Sequence, residues 1–314
     1  MRIPLLLSLV GAVALNGCSK KSSPTEPPPP PPAFTIELRW LGTTPELSTL
    51  TSFTKAVDRI GDIVTAALPT VALPADFTNV SQCNENLTGY PDVPRDPIEG
   101  VVIYAIVEPI DGPGNVLGSA GPCLIRPDPD SRPALGVMRF DDADLDNAET
   151  NGHLDALVLH EMLHVVGLGT IWRDKMLLEG DNTADARFLG FRARTACSDV
   201  NGGSAECAES VPVHSTGGSG SAYSHWREDV FLGELMTPIL NSATAPLSAM
   251  SIRSLEDLGY SVSVSTADPF LITAAVMAAQ LRGETGPSVT LPEPMHPRFR
   301  ISATNTLVPF ESRR

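Results

Sequence analysis

Hydrophobic positions recur with two periods along this chain, and the switches between them mark out its elements. Residues 34–40 (FTIELRW) alternate apolar and polar, the spacing of a half-buried strand. Over residues 47–68 the period lengthens, and Leu50, Phe53, Val57, Ile60, Val64 and Leu68 fall on one helical face. Residues 100–107 (GVVIYAIV) are continuously apolar and β-branched, which predicts a strand buried on both faces. Further strands are expected near residues 121–126 and 136–141. Residues 151–168 predict a helix with Thr150 or Asn151 as N-cap and Gly167 or Gly169 at its end. Ser248 caps a second, short helix that runs to Leu258 and stops at Gly259. Residues 180–222 are rich in Gly and Ser and predict a long irregular stretch, the kind that carries function. The order gives an α/β sandwich over about residues 34–170 and a loop-rich half over 171–269.

Composition narrows the partners. The 314 residues carry 22 Lys+Arg against 37 Asp+Glu, a net charge of −15. That balance excludes nucleic acid and direct adhesion to an anionic membrane surface, both of which are gripped by clustered cations. Hydrophobic content of 42% with 19% charged residues fits a globular chain.

The N-terminus reads as an address. Arg2 precedes an apolar run over residues 3–15, shorter than the roughly 20 residues a membrane span needs, so residues 1–17 fit a signal peptide. Leu15-Asn16-Gly17-Cys18 resembles the bacterial lipobox, which implies a lipid on Cys18 and a membrane anchor. Cleavage near Gly17 with simple secretion is the alternative. Residues 18–33 end in the prolines Pro27 to Pro32, a polyproline II spacer reaching about 19 Å. This predicts an exported protein tethered to the bacterial cell envelope.

Four further cysteines, Cys83, Cys123, Cys197 and Cys207, suggest two disulfides in an oxidising compartment. Proximity favours Cys197–Cys207 and leaves Cys83–Cys123, though three pairings are formally possible. No CxxC spacing supports a four-cysteine zinc site.

Chemistry concentrates at His160-Glu161-Met162-Leu163-His164, an HExxH pattern. Residues i and i+4 share a helix face, so both imidazoles can reach one metal ion, while Glu161 lies about 100° round the helix beside them. The surrounding helix is apolar nearly all round, as buried helices are, and two His and a Glu in such a helix need partners. A zinc ion explains all three residues at once. A catalytic zinc needs a third protein ligand. His153 lies seven residues from His160, too far to share the ion, and His296 falls in a tail without pattern, which leaves His214 and His225.

HExxHxxG, a long insertion, His225-Trp226-Arg227-Glu228 and Glu234-Leu235-Met236-Thr237-Pro238 together resemble the leishmanolysin-like metallopeptidases, a branch of the metzincins. The resemblance covers about residues 34–269. It implies that the insertion displaces the third zinc ligand to His225, and that Met236 forms the methionine turn beneath the metal. It also implies an α+β metzincin-like fold: an N-terminal lobe (34–170) with a twisted mixed sheet and two long helices, and a mostly irregular C-terminal lobe (171–269) with a short closing helix. Family members typically carry an N-terminal propeptide, sometimes with a cysteine that blocks the zinc. Here a proline-rich tether stands in that place, so a cysteine switch is not expected. Residues 270–314, a helical run to residue 281 and then a tail, have no assigned role.

The function expected is a zinc endopeptidase acting on protein or peptide substrates. One Zn2+ on His160, His164 and His225 activates a water, and Glu161 serves as general base and then acid. An edge strand near residues 121–126 would align the substrate backbone by strand addition. The acidic run Asp141, Asp142, Asp144, Asp146 and Glu149 invites a calcium reading, but it lacks the Gly and terminal Glu of an EF-hand, and acids also suit the start of a helix. The rival from another class is a surface lipoprotein that keeps the zinc structurally and binds rather than cuts; an intact Glu161 counts against it.

Overall fold

The computed structural model describes residues 32–90, 93, 95–114, 117–200, 205–216, 222–273, 288–291 and 294–311. The expected signal peptide, Cys18 and the part of the expected tether before Pro32 lie outside these residues.

Strand β1 (Ile36–Trp40) begins where alternation predicts, and helix α1 (Leu47–Ile63) follows it. The helix stops at Ile63 instead of reaching Leu68. Val64 turns extended and bridges to Val262, and Leu68 enters the core from irregular chain. Strands β2 (Val101–Glu108), β3 (Gly118–Ile125) and β4 (Pro133–Asp141) complete the first part of the sheet. β2 lies parallel to β1 and to β4, whereas β3 runs antiparallel to β4.

Both faces of β2 are covered, which is why its sequence is continuously apolar. Val101, Ile103 and Ala105 face the core that α1 supplies with Phe53, Ala56 and Ile60. Val102, Tyr104 and Ile106 face the opposite way, onto Leu73, Phe77, Val80 and Leu87 from the connection between α1 and β2. The disulfide Cys83–Cys123 fastens that cover to β3.

Helix α2 (Asp142–Thr150) is built from the acidic run. The Asp141 carboxylate accepts the backbone N–H groups of Ile110, Asp111, Gly112 and Ala143 at 2.7–3.1 Å. Burial pushes this carboxyl up, but those four bonds together hold it below the usual carboxylate range. Asp144 likewise accepts the N–H of Gly114. These acids answer N–H donors and a helix start, and the run supplies structure.

Helix α3 (Leu154–Val165) starts three residues later than expected because Gly152 takes a left-handed turn (φ 76°) between α2 and α3. It packs on α1 and on the inner face of β3 and β4.

The second half has more order than its composition suggests. Strands β5 (Leu178–Glu179), β6 (Arg187–Phe188) and β7 (Val211–Pro212) form a small antiparallel sheet. Between β6 and β7 lies helix α4 (Phe191–Val200), where an irregular stretch was expected. Its buried residues Ala193, Ala196, Cys197 and Val200 keep helical spacing, but they are small and carry little hydrophobic signal. The carboxylate of Asp257 receives the N–H groups of Arg192 and Ala193, and Cys197–Cys207 pins the helix. A single turn α5 (Glu228–Phe231), strand β8 (Ile239–Leu240) and helix α6 (Ala249–Asp257) follow. Ser248 caps α6 as predicted, its hydroxyl accepting the N–H of Ser251, and Gly259 follows at φ 102°.

Strand β9 (Val289–Thr290) pairs with β8. Strands β10 (Phe299–Ile301) and β11 (Leu307–Pro309) then extend the large sheet, whose order is β1-β2-β4-β3-β10-β11. The open edge expected at residues 121–126 is therefore occupied. β10 lies parallel to β3 and hydrogen-bonds along it. Of the helical run expected at 270–281, residues 270–273 are not helical and the remainder lies outside the described residues. Among the described residues no helix is long and apolar enough to cross a membrane.

Candidate metal centre

Helix α3 brings its histidines into the interior because nearly every other side chain on it is apolar and buried, from Leu154 through Leu157, Val158, Met162, Leu163 and Val165. His160 and His164 lie one turn apart and are wholly buried. Gly167 (φ 111°) and Gly169 (φ 80°) turn the chain away after the helix. Gly169 also passes so close to the backbone of Ser224 that a Cβ there would collide with it. That close approach delivers the next residue, His225, to the end of α3.

The three Nε2 atoms stand 2.9 Å (His164–His160), 3.0 Å (His164–His225) and 3.1 Å (His160–His225) apart. Among the described residues this is the one group of three metal-ligating side chains brought together. The tautomers follow from the partners. A carbonyl only accepts, so Nδ1 of His160 donates to Leu235 O (2.6 Å) and Nδ1 of His164 to Leu168 O (2.8 Å). Both Nε2 atoms therefore present lone pairs to the centre. Burial holds His160 and His164 well below the usual imidazole range, and the neighbouring imidazoles add to it, so they stay neutral. Lone pairs crowded in a dry interior repel one another unless a cation lies among them. Tetrahedral zinc separates ligand nitrogens by about 3.3 Å, so the spacing fits that ion with a slight loosening.

Glu161 sits on the same helix, fully buried, and neither carboxylate oxygen has a hydrogen-bond partner among the described residues. Burial pushes its pKa well above the usual carboxylate range. An unpartnered buried carboxyl is costly to keep, and a reacting group that must exchange a proton is a reason to keep one.

The segment 234–237 sets the geometry. Leu235 O takes the His160 Nδ1 proton, and Met236 O accepts the N–H of Trp226, next to His225. Met236 itself is buried in the same core. Sequence reasoning passed over Glu234, which is fully buried and receives the N–H of Met236 (2.6 Å), the N–H and hydroxyl of Ser248 (3.0 and 2.7 Å) and the hydroxyl of Ser251 (2.5 Å). Ser251 accepts in turn from the Trp226 indole at 2.8 Å. One carboxylate thus ties the segment 234–237, the start of α6 and the segment bearing His225. Its place inside the Glu234–Pro238 motif was the available signal.

This network has a measurable consequence. Glu234→Gln places an amide NH2 against the N–H of either Met236 or Ser248, which shifts Leu235 O from under His160. Metal affinity should fall about 10–100-fold in chelator competition, the usual cost of losing an outer-shell partner.

Other candidates fall elsewhere. Thr170, where many metzincins place a His, donates its hydroxyl to His164 O at 2.8 Å. His153 stands at the start of α3 and His214 contacts Thr216; neither joins the trio. His296 proves to be near the site, its Nδ1 donating to Thr170 O at 3.2 Å, where a patternless tail had been expected.

No curated protein matches the chain. The peptidase family described as leishmanolysin matches residues 75–278, about two thirds of the sequence, and the span includes His160, Glu161, His164, His225 and Met236. With a three-histidine centre at the end of an HExxH helix and a family match over most of its length, this chain belongs to the leishmanolysin family of metallopeptidases.

Proposed function

We propose that the protein is an exported zinc endopeptidase in which His160, His164 and His225 hold the metal and Glu161 moves the proton. The observation that carries the reading is the convergence of three Nε2 atoms beside a buried carboxyl without a hydrogen-bond partner among the described residues. Bound zinc supplies a Lewis acid and lowers the pKa of a water toward about 7. Glu161 accepts the proton of the attacking water and returns it to the departing amine. Leu235 O and Leu168 O fix the two helix imidazoles in the tautomer that leaves Nε2 free to ligate. Met236 shapes the floor of the site.

The two disulfides fit a life outside the reducing cytoplasm. Lipidation at Cys18, with the proline-rich tether as spacer, places the catalytic part at a membrane surface. The metal, His160 and His164 are assigned to an N-terminal lobe (34–170) and His225 to a C-terminal lobe (171–269).

Metal analysis with a cleavage assay tests the proposal. The purified mature chain should hold about one zinc and cut unfolded protein; a chelator should stop cleavage and added zinc restore it. Cleavage that persists in metal-free protein would sink the scheme.

A further inference from the structure

The described stretches 289–291 and 294–311 reach both walls of the site. On one side β9 pairs with β8, and Leu291 N donates to Pro238 O at 3.0 Å, two residues beyond Met236. Four residues later the chain is on β3: Met295 N donates to Ala120 O at 2.6 Å and Arg298 N to Cys123 O at 3.0 Å. Phe299 and Arg300 then pair with Leu124 and Ile125. Four residues span at most about 14 Å, so these two anchor points lie close together along the chain. His296 lies between these two contacts with β3 and donates to Thr170 O, whose residue in turn holds the carbonyl of His164. Gly121 has no side chain where the carbonyl of Met295 passes; a Cβ would collide with it.

The segment is clasped on its far side. The Arg300 guanidinium donates two hydrogen bonds to the buried Asp174 (2.9 and 3.0 Å) and also donates to Asp128 (2.5 Å) and Ser131 (2.6 Å). Its other face lies 5.5 Å from the centroid of the Phe310 ring. Leu307 N is held by Asp76. With this segment in place, Glu161 and all three histidines have no exposed surface.

An extended peptide is held beside a sheet by main-chain hydrogen bonds to an unpaired edge. The edge next to this metal centre is β3, and the chain's own C-terminal segment already takes its carbonyls. We propose that residues 294–311 are an inhibitory strap, an intramolecular occupant of the edge that a peptide substrate requires, and that the peptidase is latent until the strap lifts. The inference rests on the peptidase reading above. It gives residues 294–311 a role that neither the zinc ligands nor Glu161 demands.

Arg300→Glu tests it, since the substitution repels Asp174 and Asp128 without touching the metal ligands. Two readouts are taken on the full mature chain with its fold checked by thermal melting: cleavage of an unfolded protein, and the rate at which a chelator withdraws zinc. If the strap is closed in about ninety to ninety-nine of every hundred molecules, kcat/KM should rise about 10–100-fold and zinc should leave faster. A synthetic peptide of residues 294–311 should reverse the gain in cleavage. Unchanged cleavage and unchanged zinc release in a folded variant would overturn the strap, as would reduced cleavage. Faster zinc release with no cleavage by either protein would instead overturn the peptidase reading and leave the strap as cover of the metal. If Arg300→Glu does not fold, hydrogen exchange on Glu161→Gln protein decides. The amides of Met295 and Arg298 should exchange faster than those of β2 and faster still with a bound peptide; protection equal to β2 in both states overturns the proposal.

Discussion

Glu161→Gln should leave the metal in place and cut peptide hydrolysis by about 10²–10⁴-fold, the share that a positioned general base contributes. The substitution keeps the size of the side chain and removes its proton affinity. Because neither Glu161 oxygen accepts a hydrogen bond among the described residues, no structural partner is lost there, and burying a neutral amide costs less than burying a carboxylate. The thermal midpoint should therefore hold or rise while turnover collapses. Metal content by elemental analysis, melting and kcat are measured together. Undiminished turnover in a variant that still carries zinc would remove Glu161 from the mechanism.

His225→Ala should have the larger effect on the metal itself. His160 and His164 are locked by their Nδ1 bonds and remain in position, but two imidazoles leave zinc short of a ligand, and affinity should drop by more than the roughly 100-fold that an outer-shell change costs. His214→Ala is the matched control. Its side chain meets Thr216 and lies outside the trio, so zinc binding should be unchanged. Chelator competition separates the outcomes, and the reverse pattern would transfer the third ligand to His214.

The two variants probe what was readable before any coordinates. The first half of the fold was legible because its signals are large side chains at regular intervals: β2 is a block of Val and Ile, and α1 repeats Phe53, Ile60 and their neighbours. HExxH was legible for a related reason, since two ligands four residues apart on a helix need no tertiary knowledge. His225 was not, from spacing alone. Its position depends on the close pass of Gly169 and Ser224, a contact between distant parts of the chain, and only a family resemblance pointed there. Helix α4 escaped notice because Ala193, Ala196 and Cys197 bury small surfaces among polar residues, and α2 because its acids read as possible ligands. The C-terminal strands were hidden for a different reason. β10 and β11 are three residues each, and they are strands because β3 offers an edge, not because their own residues insist.

The distance between the second and third histidines has a further meaning. They are 61 positions apart, and the intervening chain holds β5, β6, α4, the Cys197–Cys207 disulfide and β7. An ion shared by His164 and His225 is therefore a staple across that whole excursion, and its binding energy is counted as folding energy. With free metal at a thousand times its dissociation constant, the linkage is worth about 4 kcal/mol. On the proposed zinc reading, scarcity of the metal would then do more than silence the enzyme. It would loosen the excursion and expose this chain to other peptidases, so that molecules lacking metal are removed while loaded ones persist.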